Sequence, residues 1–292
     1  MKRTAICELR AAKARWTMVR RIGQAAVLSM FAVGMVADIA DAQDFPRRRS
    51  RRAFGWGQDG DFIMPADFKG NTRYDGRFTF ARIRYRGAGC FSPEGPGWSH
   101  DYPRAEMNLM QIMREVTVLK PFLDGGNIFS LDDPQLFKYP VAYLSEPGCW
   151  EPTDEEIKGL RAYLLKGGFL IFDDFGERDG NGDRSELLNT QYQMQRALPG
   201  AQLIRLDEKH PIFDSFFKIE SLDIIDQTYR GTPEYYGIFE GNDPKKRMIA
   251  LLNMNNDIGD YWQFSASGFL PIAITNEAYK LGVNYIVYAL TH

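Results

Sequence analysis

The sequence predicts an α/β domain, a doubly wound and mostly parallel sheet with helices on both faces. Two observations carry that prediction. Short β-prone runs alternate with segments of helical periodicity in the order βαβ(β)αβ, and the run FLIF at 169–172 is apolar throughout, as a strand covered on both faces requires.

The elements follow in chain order. RFTFARIRY (77–85) alternates apolar and polar residues, Phe78 and Phe80, then Ile83 and Tyr85 after a phase shift, and predicts the first strand. The loop RGAGCFSPEGPGWSHDYP is 18 residues long with four Gly and three Pro, a length often tied to function. Pro103 opens a helix whose apolar stripe, Leu109, Ile112, Met113 and Val116, has the i, i+3, i+4, i+7 spacing, with Asp101 or Tyr102 near its N-cap. After the turn Gly125-Gly126, NIFSL and YPVAYLS predict the second and third strands. Thr153 and Glu156 form a capping box ahead of Ile157, Leu160 and Leu164, and Gly167-Gly168 ends that helix. FLIF is then the fourth strand. Ser185–Leu198 predicts a helix, AQLIRL (201–206) and KRMIALLN (246–253) further strands, and Pro271–Leu290 a closing helix.

At 292 residues, 44% hydrophobic and 25% charged, the chain suits one substantial globular core and is neither disordered nor fibrous. Residues 1–42 read as a secretory signal peptide: seven Lys/Arg precede the apolar run Ile22–Ala37 and the small-residue pattern Ala40-Asp41-Ala42. The apolar run of 16 residues falls short of the roughly 20 that span a bilayer. The expected location is therefore periplasmic or secreted, with an uncleaved inner-membrane anchor as the alternative. Residues 43–77 read as an Arg/Gly-rich linker or arm, and 78–292 as the folded domain.

Without its first 42 residues the chain holds 29 basic against 35 acidic residues, a formal charge of −6. RRRSRR at Arg47–Arg52 is then the one strong basic feature, either a solvated linker or an attachment to anionic headgroups. An exported acidic domain with no further basic face argues against nucleic acid as a partner. Cys7 leaves with the signal, and Cys90 and Cys149 remain as a pair that an oxidising compartment permits to bond.

Six phrases in order, WSHDYPRAEMNLM, YPVAYLSEPG, LRAYLLKGGFLIFDD, HPIF, NDIGDYWQ and LGVNYIVYAL, together resemble one bacterial family, domain of unknown function 4159. The resemblance covers about 78–292. It implies a flavodoxin-like sheet related to the class I glutamine amidotransferases, in exported or membrane-tethered proteins, with no established activity. In amidotransferases the equivalent strand leads into a tight elbow that exposes a cysteine nucleophile. Here Asp174-Phe175-Gly176 aligns with that elbow, and no downstream His-x-Glu pair follows, so glutamine hydrolysis is disfavoured.

With the flavodoxin-like strand order 2-1-3-4-5, the loops after strands one, three and four converge at the carboxyl edge of the sheet, where such folds bind ligands. Those loops hold Cys90, Trp98, His100 and Asp101; then Glu146, Gly148 and Cys149; then Asp173, Asp174 and Glu177. A Cys90–Cys149 disulfide and a Cys90 thiol activated by His100 both remain open. Asp173 and Asp174 read either as an acid/base pair or as one helix-capping and one solvated acid. His210, held extended by Pro211, has a site role or a structural one. Asp257 and Asp260 flank Gly259 beside Tyr261 and Trp262, a mix suited to a polar ligand such as a sugar or to a plain turn with buried aromatics. Asp179, Asn181 and Asp183 space oxygen ligands as calcium loops do, but the rest of an EF-hand is missing, since Arg184 and Thr190 stand where Gly and Glu are needed. Zinc is not expected from three scattered histidines, and no cofactor is expected beyond that weak calcium candidate.

The leading expectation is a noncatalytic module of the bacterial cell envelope that binds a small polar ligand or envelope proteins. The alternative is a hydrolase, on envelope glycans for example, using Asp173 or Asp174 with His210 or Asp260.

Overall fold

Seven strands form the main sheet of the computed structural model, which describes residues 64–292 except 88–90, 93–94, 178–180, 224–228 and 230. The expected signal segment, the Arg47–Arg52 stretch, Cys90 and Asp179 lie outside the described residues. The strands are β1 Ala81–Ile83, β2 Asn127–Phe129, β3 Val141–Ser145, β4 Phe169–Phe175, β5 Ile204–Arg205, β6 Glu234–Phe239 and β7 Met248–Met254. They stand in the order β2-β1-β3-β4-β7-β6-β5. From β2 to β7 the neighbours are parallel, while β6 runs antiparallel to β7 and β5 antiparallel to β6. The helices are α1 Arg104–Val116, α2 Asp154–Leu165, α3 Ser185–Ala197, α4 Ile258–Gln263 and α5 Ile272–Thr291.

The first four strands take the order 2-1-3-4. The fifth place differs from expectation, because β7, the last strand in the chain, occupies it, and AQLIRL supplies only the two-residue edge strand β5. Both β6 (EYYGIF) and α4 are elements that periodicity does not reveal. Glycine interrupts β6, and six residues are too few for a helical repeat to stand out.

Alternation along the central strands sorts the core onto two faces. Val141, Tyr143, Phe169 and Ile171 pack with Leu109, Met110 and Met113 of α1 and with Ala278, Leu281 and Tyr285 of α5. Ala142, Leu144, Leu170 and Phe172 pack with Leu160 and Leu164 of α2 and with Leu187, Met194 and Ala197 of α3. Covering both faces explains why β3 and β4 are buried at every position.

Local signals act as their chemistry dictates. Thr153 Oγ1 accepts from Glu156 N at 3.2 Å and Glu156 Oε2 accepts from Thr153 N at 2.8 Å, so the capping box at α2 is complete. Asn71, within the stretch read as an arm, both donates to Ile128 O and accepts from Ile128 N, at 2.7 Å each. Its side chain thereby takes up ladder groups on the open edge of β2. None of the described helices is long and apolar enough to cross a membrane.

Candidate functional site

The carboxyl ends of β1, β3, β4 and β7 open on one edge, and the backbone there is unusual. Five described non-glycine residues have left-handed φ, and four of them, Asp101 (66°), Glu146 (49°), Asp174 (59°) and Asn255 (57°), lie in the segments that follow these strands or end them. Each such residue costs about 1–2 kcal/mol in local energy, so the surroundings must enforce it. At β4 the enforcement is visible, since its register against β7 shifts between Phe172 and Phe175. Gly176 then passes so close to Asn255 that a Cβ there would lie 2.2 Å from Asn255 Oδ1.

This kink gives the two consecutive acids different surroundings. Asp173 is wholly buried, and its Oδ2 accepts from Tyr143 Oη at 2.8 Å and Gly259 N at 3.1 Å, while Oδ1 accepts from Asn253 Nδ2 at 3.0 Å. Burial pushes its pKa up to about 7 against the opposing pull of those hydrogen bonds. Asp174 instead turns toward the loop after β1. Its Oδ1 accepts from Tyr229 Oη at 2.6 Å, its Oδ2 accepts from Ser145 Oγ at 3.3 Å, and that Oδ2 lies 3.8 Å from His100 Nδ1. His100 Nδ1 is also 3.0 Å from Glu146 Oε1. Burial alone would lower the imidazole pKa, but the neighbouring Asp174 and Glu146 carboxylates outweigh it and raise the value to about 10.

A second group stands next to the first in sequence. Asp101, Asp257 and Asp260 each bring a carboxylate oxygen within 4.8 Å of the others, as His100, Glu146 and Asp174 do with their own ligand atoms. Asp257 Oδ1 caps α4 by accepting from Asp260 N at 3.0 Å. Burial, followed by repulsion from Asp260 and Asp174, drives the Asp101 pKa well above the usual carboxylate range. Asp257 is driven the same way, by burial and then by Asp174, Asp101 and Asp260. Beneath them Arg82 is fully buried, paired with Glu106, donating to Trp98 O at 3.0 Å and lying over the Tyr143 ring at 5.0 Å. Both groups have donors suited to a cation: an imidazole with two carboxylates in one, carboxylates alone in the other.

The residues expected at this edge divide clearly. Asp101, Glu146, Asp173, Asp174, Asp257 and Asp260 are brought together. His210 is not. Its ring packs against Phe239 and Tyr288, which neighbour Met248 and Phe169 at the starts of β7 and β4, so it sits at the opposite edge of the sheet. The physical reason is the chain reversal after β5, where Asp207 O accepts from His210 N at 3.0 Å and turns the backbone away. A site combining His210 with Asp174 and Asp260 is therefore excluded.

The aromatic ligand candidates are core residues. Trp98 and Trp262 are each 2% exposed or less, and Trp262 Nε1 donates to Ala278 O at 3.0 Å. Gly148 serves close packing, since a Cβ would lie 2.6 Å from Glu186 Cγ. Glu177 donates its backbone N–H to Asn255 Oδ1 at 2.7 Å and stays outside both ligand groups. Asp183 is occupied at the start of α3, accepting from Ser185 N at 2.9 Å, and neither it nor Asn181 belongs to a ligand group among the described residues. Cys149 is disulfide-bonded, and Cys90, its expected partner, is outside the described residues.

His100, expected on the loop after the first strand, stands at this edge as well, and Tyr143, Ser145, Tyr229, Asn253 and Asn255 complete it without having been assigned there from sequence. A signal existed for three of them: Tyr143, Ser145 and Asn253 are polar groups inside otherwise apolar strands, and buried polar groups need partners. Compared with known proteins, the chain matches a family model described as a domain of unknown function (DUF4159) over residues 79–290. No curated protein matches it.

Proposed function

From the premise that the chain belongs to the DUF4159 family, we propose that it is a noncatalytic binding module of the bacterial cell envelope which takes a small polar ligand at the carboxyl edge of its sheet. The observation that carries this reading is the enforced backbone at that edge. Asp101, Glu146, Asp174 and Asn255 all hold left-handed conformations there, and energy of this kind is retained where a surface has to be presented in one fixed shape. His100 and Asp260 are half-buried, within reach of a ligand, while Asp173 is withdrawn behind them and saturated by its own hydrogen bonds. Export is supported by the signal-like pattern of residues 1–42 and by the disulfide at Cys149, which an oxidising compartment preserves. The flavodoxin-like, amidotransferase-related form of the fold is supported by the order 2-1-3-4 and by the left-handed Asp174 at the expected elbow.

Thermal melting of the purified chain against amino sugars, oligosaccharides, amino acids, polyamines and nucleotides tests the reading. A ligand at 100 times its Kd adds about 2.7 kcal/mol to stability. The expected result is a raised midpoint with one class of compound, lost in Glu146→Gln. No response in any class would remove the small-ligand reading.

One observation favours a hydrolase as the second reading. Asp174, with φ 59° and His100 Nδ1 3.8 Å from its Oδ2, is a carboxylate on a strand-to-loop elbow. Against it, Nδ1 of His100 faces Glu146, and both Asp174 oxygens already accept hydrogen bonds. Turnover of chromogenic glycosides or aryl esters that vanishes in Asp174→Asn would establish the hydrolase and overturn the noncatalytic reading.

A further inference from the structure

We infer that Asp101, Asp257 and Asp260 together bind one calcium ion; this gives the proposed edge an inorganic ligand and rests on that reading of the edge as a binding site. The geometry starts from the ion's own requirements. Calcium takes oxygen ligands at about 2.3–2.6 Å, so two oxygens on one ion stand at most about 5 Å apart. The three carboxylate oxygens here lie within 4.8 Å of one another. The donors are oxygen only, with no thiolate or imidazole among them, which favours a hard cation over zinc or copper.

An acidic cluster alone would not distinguish a cation site from surface charge, but Asp101 does. It is 3% exposed, and its Oδ2 is a buried carboxylate oxygen that no hydrogen-bond donor among the described residues reaches, its acidic neighbour being the Asp260 carboxyl. Buried polar atoms are ordinarily satisfied, and one left open in a cluster of acids asks for a positive partner. That oxygen is aimed at the Asp257–Asp260 turn, since a Cβ on Gly259 would lie 2.4 Å from it. Glycine at 259 is what allows the carboxylate to reach the turn. The nearby buried cation, Arg82, is held by Glu106 and by the carbonyl of Trp98, and its remaining Nη2, though without a partner among the described residues, makes no hydrogen bond to that oxygen. Calcium also suits the compartment proposed above, where the free ion is abundant enough for modules of 10⁻⁴–10⁻³ M affinity.

The test is calorimetric titration of the full chain, stripped with EDTA, using calcium chloride and, separately, magnesium chloride. One equivalent of calcium should bind, with a rise in melting midpoint, and magnesium should bind more weakly. Asp260→Asn and Asp257→Asn should each weaken calcium at least tenfold, and Glu115→Gln, an exposed carboxylate on α1, should change nothing. Asp257→Asn keeps the helix cap, because the amide oxygen can still accept from Asp260 N, and should that variant nevertheless fail to fold, the half-buried Asp260 carries the comparison. No heat and no midpoint shift up to about 10 mM calcium, or unchanged affinity in Asp260→Asn, overturns the inference. A flat calcium titration alongside an organic ligand that still acts through Glu146 would end the calcium site alone and leave the binding reading standing.

Discussion

His100 Nδ1 stands 3.0 Å from Glu146 Oε1 and 3.8 Å from Asp174 Oδ2, so one imidazole fastens the loop after β1 to the ends of β3 and β4. The Glu146 side chain is only 8% exposed and could not easily be resolvated if the ring were removed. His100→Ala should therefore cost about 1.5–3 kcal/mol, the range for losing a hydrogen bond to a charged group. Adding Glu146→Gln should recover part of it, with a coupling energy above about 0.5 kcal/mol in urea unfolding of the four species. Strict additivity would show that the ring and the acid are neighbours without being partners.

Gly259 offers a test in which two effects oppose. Within a helix, replacing Gly by Ala ordinarily gains about 1 kcal/mol. Here the added Cβ would lie 2.4 Å from Asp101 Oδ2 and 2.9 Å from Tyr143 Oη, both buried. Overpacking of that kind costs about 1–3 kcal/mol, so the clash wins and Gly259→Ala should be destabilising. A more stable variant would mean that Asp101 can retreat, which would also weaken the case for a fixed carboxylate at that turn.

The buried pair Arg82–Glu106 lies under the same edge, with both side chains at 0% exposure. Arg82 Nη2 and Glu106 Oε2 find no partner among the described residues, so the pair is only partly satisfied. Removing one charge should be worse than removing both. Arg82→Met alone should lose about 3–5 kcal/mol, and the double change with Glu106→Leu should regain most of that loss. Equal losses in single and double variants would locate the contribution in the Arg82 bond to Trp98 O instead.

The edge was legible because parallel strands place their loops on one side, and that rule, applied to the strand order that the family resemblance implies, brought Asp101, Glu146, Asp173 and Asp174 together. Asp257 and Asp260 joined them once β7 took the place beside β4. What the sequence hid was of two kinds. His210 follows an apolar run that looks like a parallel strand, but its two strand residues pair antiparallel with β6, and direction is decided by tertiary contacts that leave no local mark. The kink at Asp174 was likewise invisible, because a left-handed aspartate is enforced by Asn255 and Asn256 from a segment some eighty residues away: Asp174 N donates to Asn256 O at 3.1 Å, and Asn255 N to Phe175 O at 2.8 Å. Alternation within β4 predicts that adjacent acids face opposite ways, but it does not say which one a bulge will turn outward.

His210, though outside the site, supplies a clean titration. Its Nδ1 accepts from Ile212 N at 3.3 Å and caps the short helical turn at 211–214, a role that needs the neutral ring. Burial lowers its pKa below the ordinary 6.5, with Asp207 pulling the other way and His292 adding slightly to the depression. The folded state thus binds fewer protons than the unfolded chain between the lowered value and 6.5, and stability must rise with pH across that window. His210→Asn keeps an oxygen that can accept from Ile212 N but removes the titration. Melting midpoints of the two proteins should run parallel above pH 7, and the wild type should fall away from the variant as the pH drops through 6.5. Curves that stay parallel down to pH 5 would mean the ring accepts its proton at no cost to the cap, which the Nδ1 geometry forbids unless Ile212 N finds another acceptor.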